Sequence, residues 1–409
     1  MNDQIAQTIR RRRVFYIPGY DPIHPRRYRE LYRKEGADQA EITGYELALK
    51  PMKREGSYGW QVDAEIAGQS VHAEFEVLVW SDIVRQSMSN SIPATYGQLV
   101  RTAWEYISTG ALWRLMRLRK GPVLAALYPV GALILLGGLA LLIWWATAKV
   151  AGVLLGTSLI SQVVGLAIGA LPAWALLNWI KRKDGQFFVF YLMHDYAYSA
   201  RWKGRSPPEL EARMAEFQNR IAEALGEDWD EVLVVGHSSG AHLAVSVLAD
   251  LIRAGRVPDR GPKLAFLSLG QVVPMVSFLR DAWRLRADLA FLSSTNALTW
   301  IDVTAPGDGC AFALCDPVGV SGVAPPDKRW PLVVSAAFTQ TLSAEKWKAL
   351  RWRFFRLHFQ YLCAFDRPGD YDYFQITAGP VSLAERYAGR APSPSRIEAP
   401  ASRYRSVAP

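Results

Sequence analysis

From Pro122 to Ile180 the chain runs 59 residues with a single charged side chain, Lys149. No other feature limits its folding so tightly. A bilayer's hydrocarbon core takes about 20 apolar residues per helix, so the segment holds two spans and a short connection. The spans are expected at Pro122–Ala146 and Ser161–Ile180, with Lys149 in a connection that continues to about Leu159. Trp144 and Trp145 then fall near one interface and Trp174 and Trp179 near the other, as aromatic belts do. Two alternatives compete: a buried core hairpin of a soluble protein, which needs protein cover along its whole length, and a re-entrant hairpin confined to one leaflet.

The flanks set an orientation. Arg114, Arg117, Arg119 and Lys120 precede the segment and Lys181, Arg182 and Lys183 follow it, against one lysine between the spans. Excess Lys and Arg stay cytoplasmic, so the expectation is an integral protein of the cell or inner membrane with both termini and the polar domain in the cytoplasm. The start, MNDQIAQTIRRRR, has no apolar core and does not read as a signal peptide. A formal charge of +9 draws on two clusters, Arg10 to Arg13 and Arg26, Arg27, Arg29, Arg33 and Lys34. They suit a solvated basic surface first and an anionic membrane surface second. Nucleic acid is not expected as a partner, because no nucleic-acid motif accompanies the charge. Three cysteines, Cys310, Cys315 and Cys363, form neither a disulfide framework nor the CxxC pairs of a zinc site, and no metal or other cofactor is expected.

Around the apolar segment, residues 1–121 read as one part of a domain and 181–384 as the other, with 385–409, rich in Ala, Pro, Ser and Arg, as a disordered tail. Before the segment, RVFYI (Arg13–Ile17) reads as a buried strand, residues 24–36 as a polar helix, and 43–50, 58–66 and 70–80 as strands. A helix over Tyr96–Leu118 leads straight into the first span. After the segment, Leu210, Met214, Phe217, Ile221 and Leu225 recur at helical spacing. Strands Glu231–Val235, Lys263–Leu269, Leu298–Thr304 and Leu332–Phe338 alternate with helices at about 239–254 and 278–292. Such alternation predicts an α/β fold, a mostly parallel sheet covered on both faces.

The densest chemical signal is Glu231–Val235 followed by Gly236-His237-Ser238-Ser239-Gly240 and a run of small and apolar residues. A strand runs into G-x-S-x-G and out into a helix, so the turn is too sharp for side chains at the glycines. It holds Ser238 Oγ at a helix N-terminus, where the Ser239 N–H faces a developing oxyanion. This arrangement resembles the α/β-hydrolase superfamily, and within it the lipase and esterase-like members. The resemblance covers most of 185–384 and, less closely, 13–120; the apolar hairpin departs from the usual architecture. It implies serine-hydrolase activity with a triad in the chain order Ser, acid, His.

Of six histidines, only His358 follows the acid candidates, which makes it the expected base. His242 stands four residues past Ser238 on a helix that carries it away, and His237 should point aside. For the acid, Asp308 lies in the loop after LTWIDVT and is preferred to Asp302 inside the strand; Asp316 comes third. A second oxyanion donor is expected at the N–H of Tyr20 in Pro18-Gly19-Tyr20, a position similar to the superfamily's His-Gly loop with proline in place of histidine. Gly270-Gln271 is a weaker candidate lining. The expected function is a membrane-bound serine hydrolase acting on an acyl ester, with a lipid-type substrate suggested by proximity to the bilayer. An acyltransferase using the same triad, or a membrane scaffold without chemistry, are the alternatives.

Overall fold

The computed structural model describes residues 8–52, 58–88, 91–156 and 158–409; the reading of the extreme N-terminus up to Gln7 lies outside them. Eight strands form one sheet: β1 (Arg11–Ile17), β2 (Glu46–Pro51), β3 (Tyr58–Ile66), β4 (Gln69–Val77), β5 (Glu231–His237), β6 (Lys263–Leu269), β7 (Thr299–Thr304) and β8 (Leu332–Ser335). Their spatial order is β2-β3-β4-β1-β5-β6-β7-β8. β2, β3 and β4 pair antiparallel, and every pairing from β4 to β8 is parallel. The fold is therefore α/β around a mostly parallel sheet.

The alternation of side chains along a strand explains the two cores. Val14, Tyr16, Leu233 and Val235 face one layer, whereas Phe15, Ile17, Val232 and Val234 face the other. With both faces covered, β5 is buried along its whole length, which is why it reads as an uninterrupted apolar run. β1 leads outward to β4 on one side and borders β5 on the other, so the strand order reverses between β1 and β5. In open α/β sheets the crevice at the carboxyl ends of such strands is where ligands bind.

The apolar segment interrupts the connection from β4 to β5. It forms two helices long and apolar enough to cross a membrane, Lys120–Leu155 and Leu159–Arg182, with mean hydropathy 2.3 and 1.8 over their most apolar stretches. Only 17% of each stretch is buried, which a soluble core hairpin would not tolerate. Their boundaries differ from expectation. The first helix does not stop near Ala146 but runs to Leu155, 36 residues in all, so Lys149 lies inside it and the second helix already begins at Leu159. Nothing before Gly156 breaks the helix, and one lysine near its end does not force a turn. For the same reason Trp144 and Trp145 fall well before the helix end, with Trp144 Nε1 donating to Leu166 O across the hairpin at 2.8 Å. The expected continuous helix over Tyr96–Leu118 is broken: Ile92–Ser108 and Ala111–Leu118 meet at Gly110, whose φ of 73° no helix accommodates. Arg119, with φ −148°, makes a second break.

Two further expectations are corrected. Arg12 and Arg13 are not a solvated basic surface but are buried in β1. Arg12 donates to Glu231 at 2.6 Å and to the carbonyls of Gly379 and Val381. Arg13 is held by Glu74 and Glu76. The stretch 385–409 is not a loose tail. Ser393 N donates to Val333 O, and Ile397 pairs with the loop at Leu314–Asp316. Ala401 and Ser402 donate to Val320 O. Arg286 Nε donates to Ser406 O. These backbone partners lie far away in sequence, so local composition could not announce them.

Candidate active site

The turn after β5 is built by close approaches. A Cβ at Gly236 would lie 2.8 Å from Ala241 Cα, and one at Gly240 only 2.0 Å from Ile17 O. Glycine is thus demanded where the helix Gly240–Arg253 leaves β5 and passes over the end of β1. Ser238 itself has φ +57°, a conformation that costs a non-glycine residue free energy and persists only where its surroundings hold it. Its N–H donates to Leu269 O at 2.9 Å and its carbonyl accepts from Ala241 N. The hydroxyl makes no hydrogen bond among the described residues and lines a cavity of about 810 Å³.

His358 lines the same cavity. It ends the short helix Phe354–His358, which residues 351–353 separate from the helix Ala344–Leu350. Its Nδ1 lies 2.7 Å from Asp308 Oδ2, which leaves Nε2 for proton exchange. A Cβ at Gly270, just past β6, would sit 3.1 Å from His358 Cε1, so only glycine lets the ring lie so close to that strand end. Asp308 occupies the loop after β7. Burial would raise its carboxyl, but the imidazole, the Cys310 N–H and the Tyr361 hydroxyl hold it below the usual carboxylate range. A buried carboxylate kept ionised beside an imidazole stabilises the imidazolium and fixes its tautomer.

The other candidates lie elsewhere. Asp302 accepts from Ser268 Oγ within the sheet, and burial pushes its carboxyl up to about 8. Asp316 caps the helix Pro317–Ser321 and pairs with Lys328. His242 is half-buried, with a buried Nδ1 unpartnered among the described residues, and lines a separate small cavity with Leu210 and Leu285. Gln271 is spent on Cys315 O and Val273 N.

The loop after β1 closes the other side. A Cβ at Gly19 would meet Ser238 Cβ at 3.0 Å and Oγ at 3.4 Å. Trp80 Nε1 holds Pro18 O at 2.9 Å, and the Tyr191 hydroxyl holds Tyr20 O. Neither the Tyr20 N–H nor the Ser239 N–H donates a hydrogen bond among the described residues. Two uncommitted backbone donors in the loops beside Ser238 are the parts an oxyanion site requires.

Three contributors were not legible in the sequence. His237, expected to point aside, has Nε2 3.0 Å from His358 O; burial lowers its pKa to about 3, so the neutral ring donates and positions the His358 backbone. Tyr361 donates to Asp308 at 3.0 Å and accepts from Ala305 N. Asp195 lines the cavity with no hydrogen-bond partner among the described residues, and burial pushes its carboxyl up to about 7. The triad order supplies no signal for any of them.

Asp308, Cys310 and His358 bring three donor atoms within 4.8 Å of one another, a grouping that could hold a metal ion. The 2.7 Å between Nδ1 and Oδ2 is a hydrogen-bond length; two donors on one tetrahedral ion, each about 2.1 Å from it, stand roughly 3.4 Å apart. Burial also raises the Cys310 thiol, which disfavours the thiolate a metal would need. The geometry suits an acid–base pair better than a metal centre. No protein-family model, no curated protein and no solved structure matches this chain.

Proposed function

We propose that this chain is a membrane-anchored serine hydrolase of the α/β-hydrolase kind that cleaves a carboxylic ester of a lipophilic acyl group. The observation that carries it is the hydrogen-bonded Asp308–His358 pair sharing one cavity with a serine at φ +57°. His358 Nε2 takes the Ser238 proton as Oγ attacks the ester carbonyl. The oxyanion accepts from the N–H groups of Ser239 and Tyr20, while Asp308 stabilises the imidazolium. His358 then gives its proton to the leaving alcohol, and an acyl-serine remains. Water, deprotonated by His358, attacks that ester, releases the carboxylic acid and restores Ser238.

Fluorophosphonate labelling of the detergent-solubilised full chain tests the reading. Wild type is expected to be labelled and Ser238→Ala to be neither labelled nor active. Labelling that survives in Ser238→Ala moves the nucleophile elsewhere.

In this reading the two apolar helices cross the bilayer and return the chain to the cytoplasmic side, as the seven basic flanking residues favour. Both chain portions must share a compartment, because β1 and β5 are neighbours. A cysteine at Ser158 should react with an impermeant maleimide added outside intact cells, and cysteines at Asn2 and Ala408 should not. Outside labelling of either terminus would overturn this orientation.

A further inference from the structure

We propose that the substrate is a bilayer lipid that reaches Ser238 sideways from the leaflet, through a mouth formed where the first apolar helix meets Phe187, Phe188 and the segment Arg351–Arg356. This rests on the hydrolase reading above and names the substrate class and its route. The same cavity that holds Ser238 and His358 is walled by Leu124, Ala125 and Tyr128 of that helix. The helix starts against the acid loop: a Cβ at Gly121 would lie 3.3 Å from Gly309 Cα, one residue past Asp308. Tyr128 donates to Phe187 O at 2.8 Å, which ties the helix to the chain leaving the hairpin. A cavity of about 810 Å³ is within the range that buries most of a drug-sized apolar ligand.

Depth along the membrane normal supports the route. A Cβ at Gly165 would lie 3.0 Å from Ala148 O and 3.3 Å from Gly152 N, and one at Gly169 2.6 Å from Trp144 O and 3.0 Å from Ala148 N, which sets the antiparallel register of the hairpin. In that register, which the Tyr128–Phe187 bond continues, Arg182 stands about level with Leu133, and the basic run Lys181–Lys183 marks the domain-side interface. At 1.5 Å per residue, Tyr128 and Leu124 lie roughly 8 and 14 Å further toward the domain. The polar headgroup layer extends about 5 to 8 Å beyond the hydrocarbon core on each side. The mouth thus begins at the outer edge of the headgroup layer, and a lipid brings its ester bond to the cavity by rising through roughly the depth of that layer.

The rim has the chemistry of that layer. Trp352 is 73% exposed and Phe354 45%, far more than a soluble surface needs to leave uncovered. They alternate with Arg351, Arg353 and Arg356, all exposed. Phe188 reaches the segment through Phe355, ring centroids 5.2 Å apart. Aromatic rings at an interface with arginines toward anionic headgroups form a membrane-seated surface. A water-borne ester requires none of it.

The test uses the full chain in phosphatidylcholine vesicles containing dioleoylglycerol, beside p-nitrophenyl butyrate in water. Wild type should release oleate with a kcat/KM above that for butyrate. Ala125→Trp, which fills the acyl wall, should lower oleate release on the order of tenfold or more and shift preference toward short acyl chains. The double variant Trp352→Ser/Phe354→Ser changes only exposed side chains, so it serves if Ala125→Trp does not fold. It should lower oleate release from vesicles more than butyrate hydrolysis. Ser238-dependent butyrate hydrolysis without oleate release overturns the lipid route and leaves the hydrolase reading standing. An equal loss on both substrates in the double variant also overturns the route. Neither hydrolysis nor fluorophosphonate labelling would bring down both.

Discussion

The two walls of the cavity are built on opposite principles. On the sheet side, the strand ends of β1, β5 and β6 approach so closely that Gly19, Gly240 and Gly270 cannot carry a Cβ without displacing Ser238, the β1 backbone or the ring of Tyr361 beside His358. Among the described residues, the Ser238 hydroxyl, His358 Nε2 and the N–H groups of Tyr20 and Ser239 make no hydrogen bond there. On the opposite side, Leu124, Phe187, Phe188, Trp352 and Phe354 are exposed, and one carboxyl, Asp195, has no partner among the described residues. In the hydrolase reading the difference is a division of labour: the rigid sheet edge places the reacting atoms, and the looser apolar wall selects what reaches them.

The largest effect should come from the rigid wall. His358→Ala removes the base that a serine hydroxyl depends on, and turnover should fall by about 10³-fold or more. His242→Ala, at a half-buried ring facing a different cavity, should change turnover by less than about tenfold. Steady-state rates on a soluble ester, measured on protein whose folding is verified by thermal unfolding, decide between them. A reversed order would place the base on the helix after Ser238.

Asp308→Asn should follow, with a loss on the order of 10²- to 10⁴-fold, because an amide favours the wrong imidazole tautomer while leaving the geometry in place. Asp302→Asn should instead act on folding, since Asp302 meets Ser268 inside the sheet and not the imidazole. Measuring turnover and unfolding temperature for both variants separates the roles. Wild-type turnover in Asp308→Asn would discard the pair as the acid–base centre.

What could be read ahead of the structure, and what could not, follows the same division. The run of Val and Leu into Gly236-His-Ser-Ser-Gly240 marks β5 and its turn because a fully buried parallel strand must be apolar and a sharp turn must be glycine. Asp308 and His358 follow from chain order. Contacts between distant segments are invisible at that level. Arg12 looks like surface charge until Glu231 is placed beside it on the neighbouring strand. The C-terminal stretch looks unstructured until Leu314, Val320 and Val333 supply its hydrogen-bond partners. His237, Tyr361 and Asp195 matter only through what stands opposite them, and Lys149 misleads because a single charge near a helix end does not make a turn.

The smallest effect concerns the looser wall, and it probes its polarity directly. Burial raises Asp195 to about 7 from an ordinary value of 3.8, partly opposed by His358; Cys310, Tyr20, Tyr106, Tyr191 and Tyr196 are the other titratable groups coupled to it. In the unfolded chain the carboxyl ionises near pH 4. As pH rises from about 4 to about 7, the unfolded state releases a proton that the folded state retains, so folding stability falls across that window. Asp195→Asn removes this slope. In detergent the variant should unfold at a higher temperature than wild type near pH 8, with the advantage shrinking toward zero near pH 4. Asp302, raised by burial, and Asp308, lowered by its partners, titrate alike in both proteins and cancel in the difference. A difference in unfolding temperature that is the same at both ends of the range would mean that Asp195 meets water freely, and that the wall facing Ser238 is wetter than a lipid-lined cavity allows.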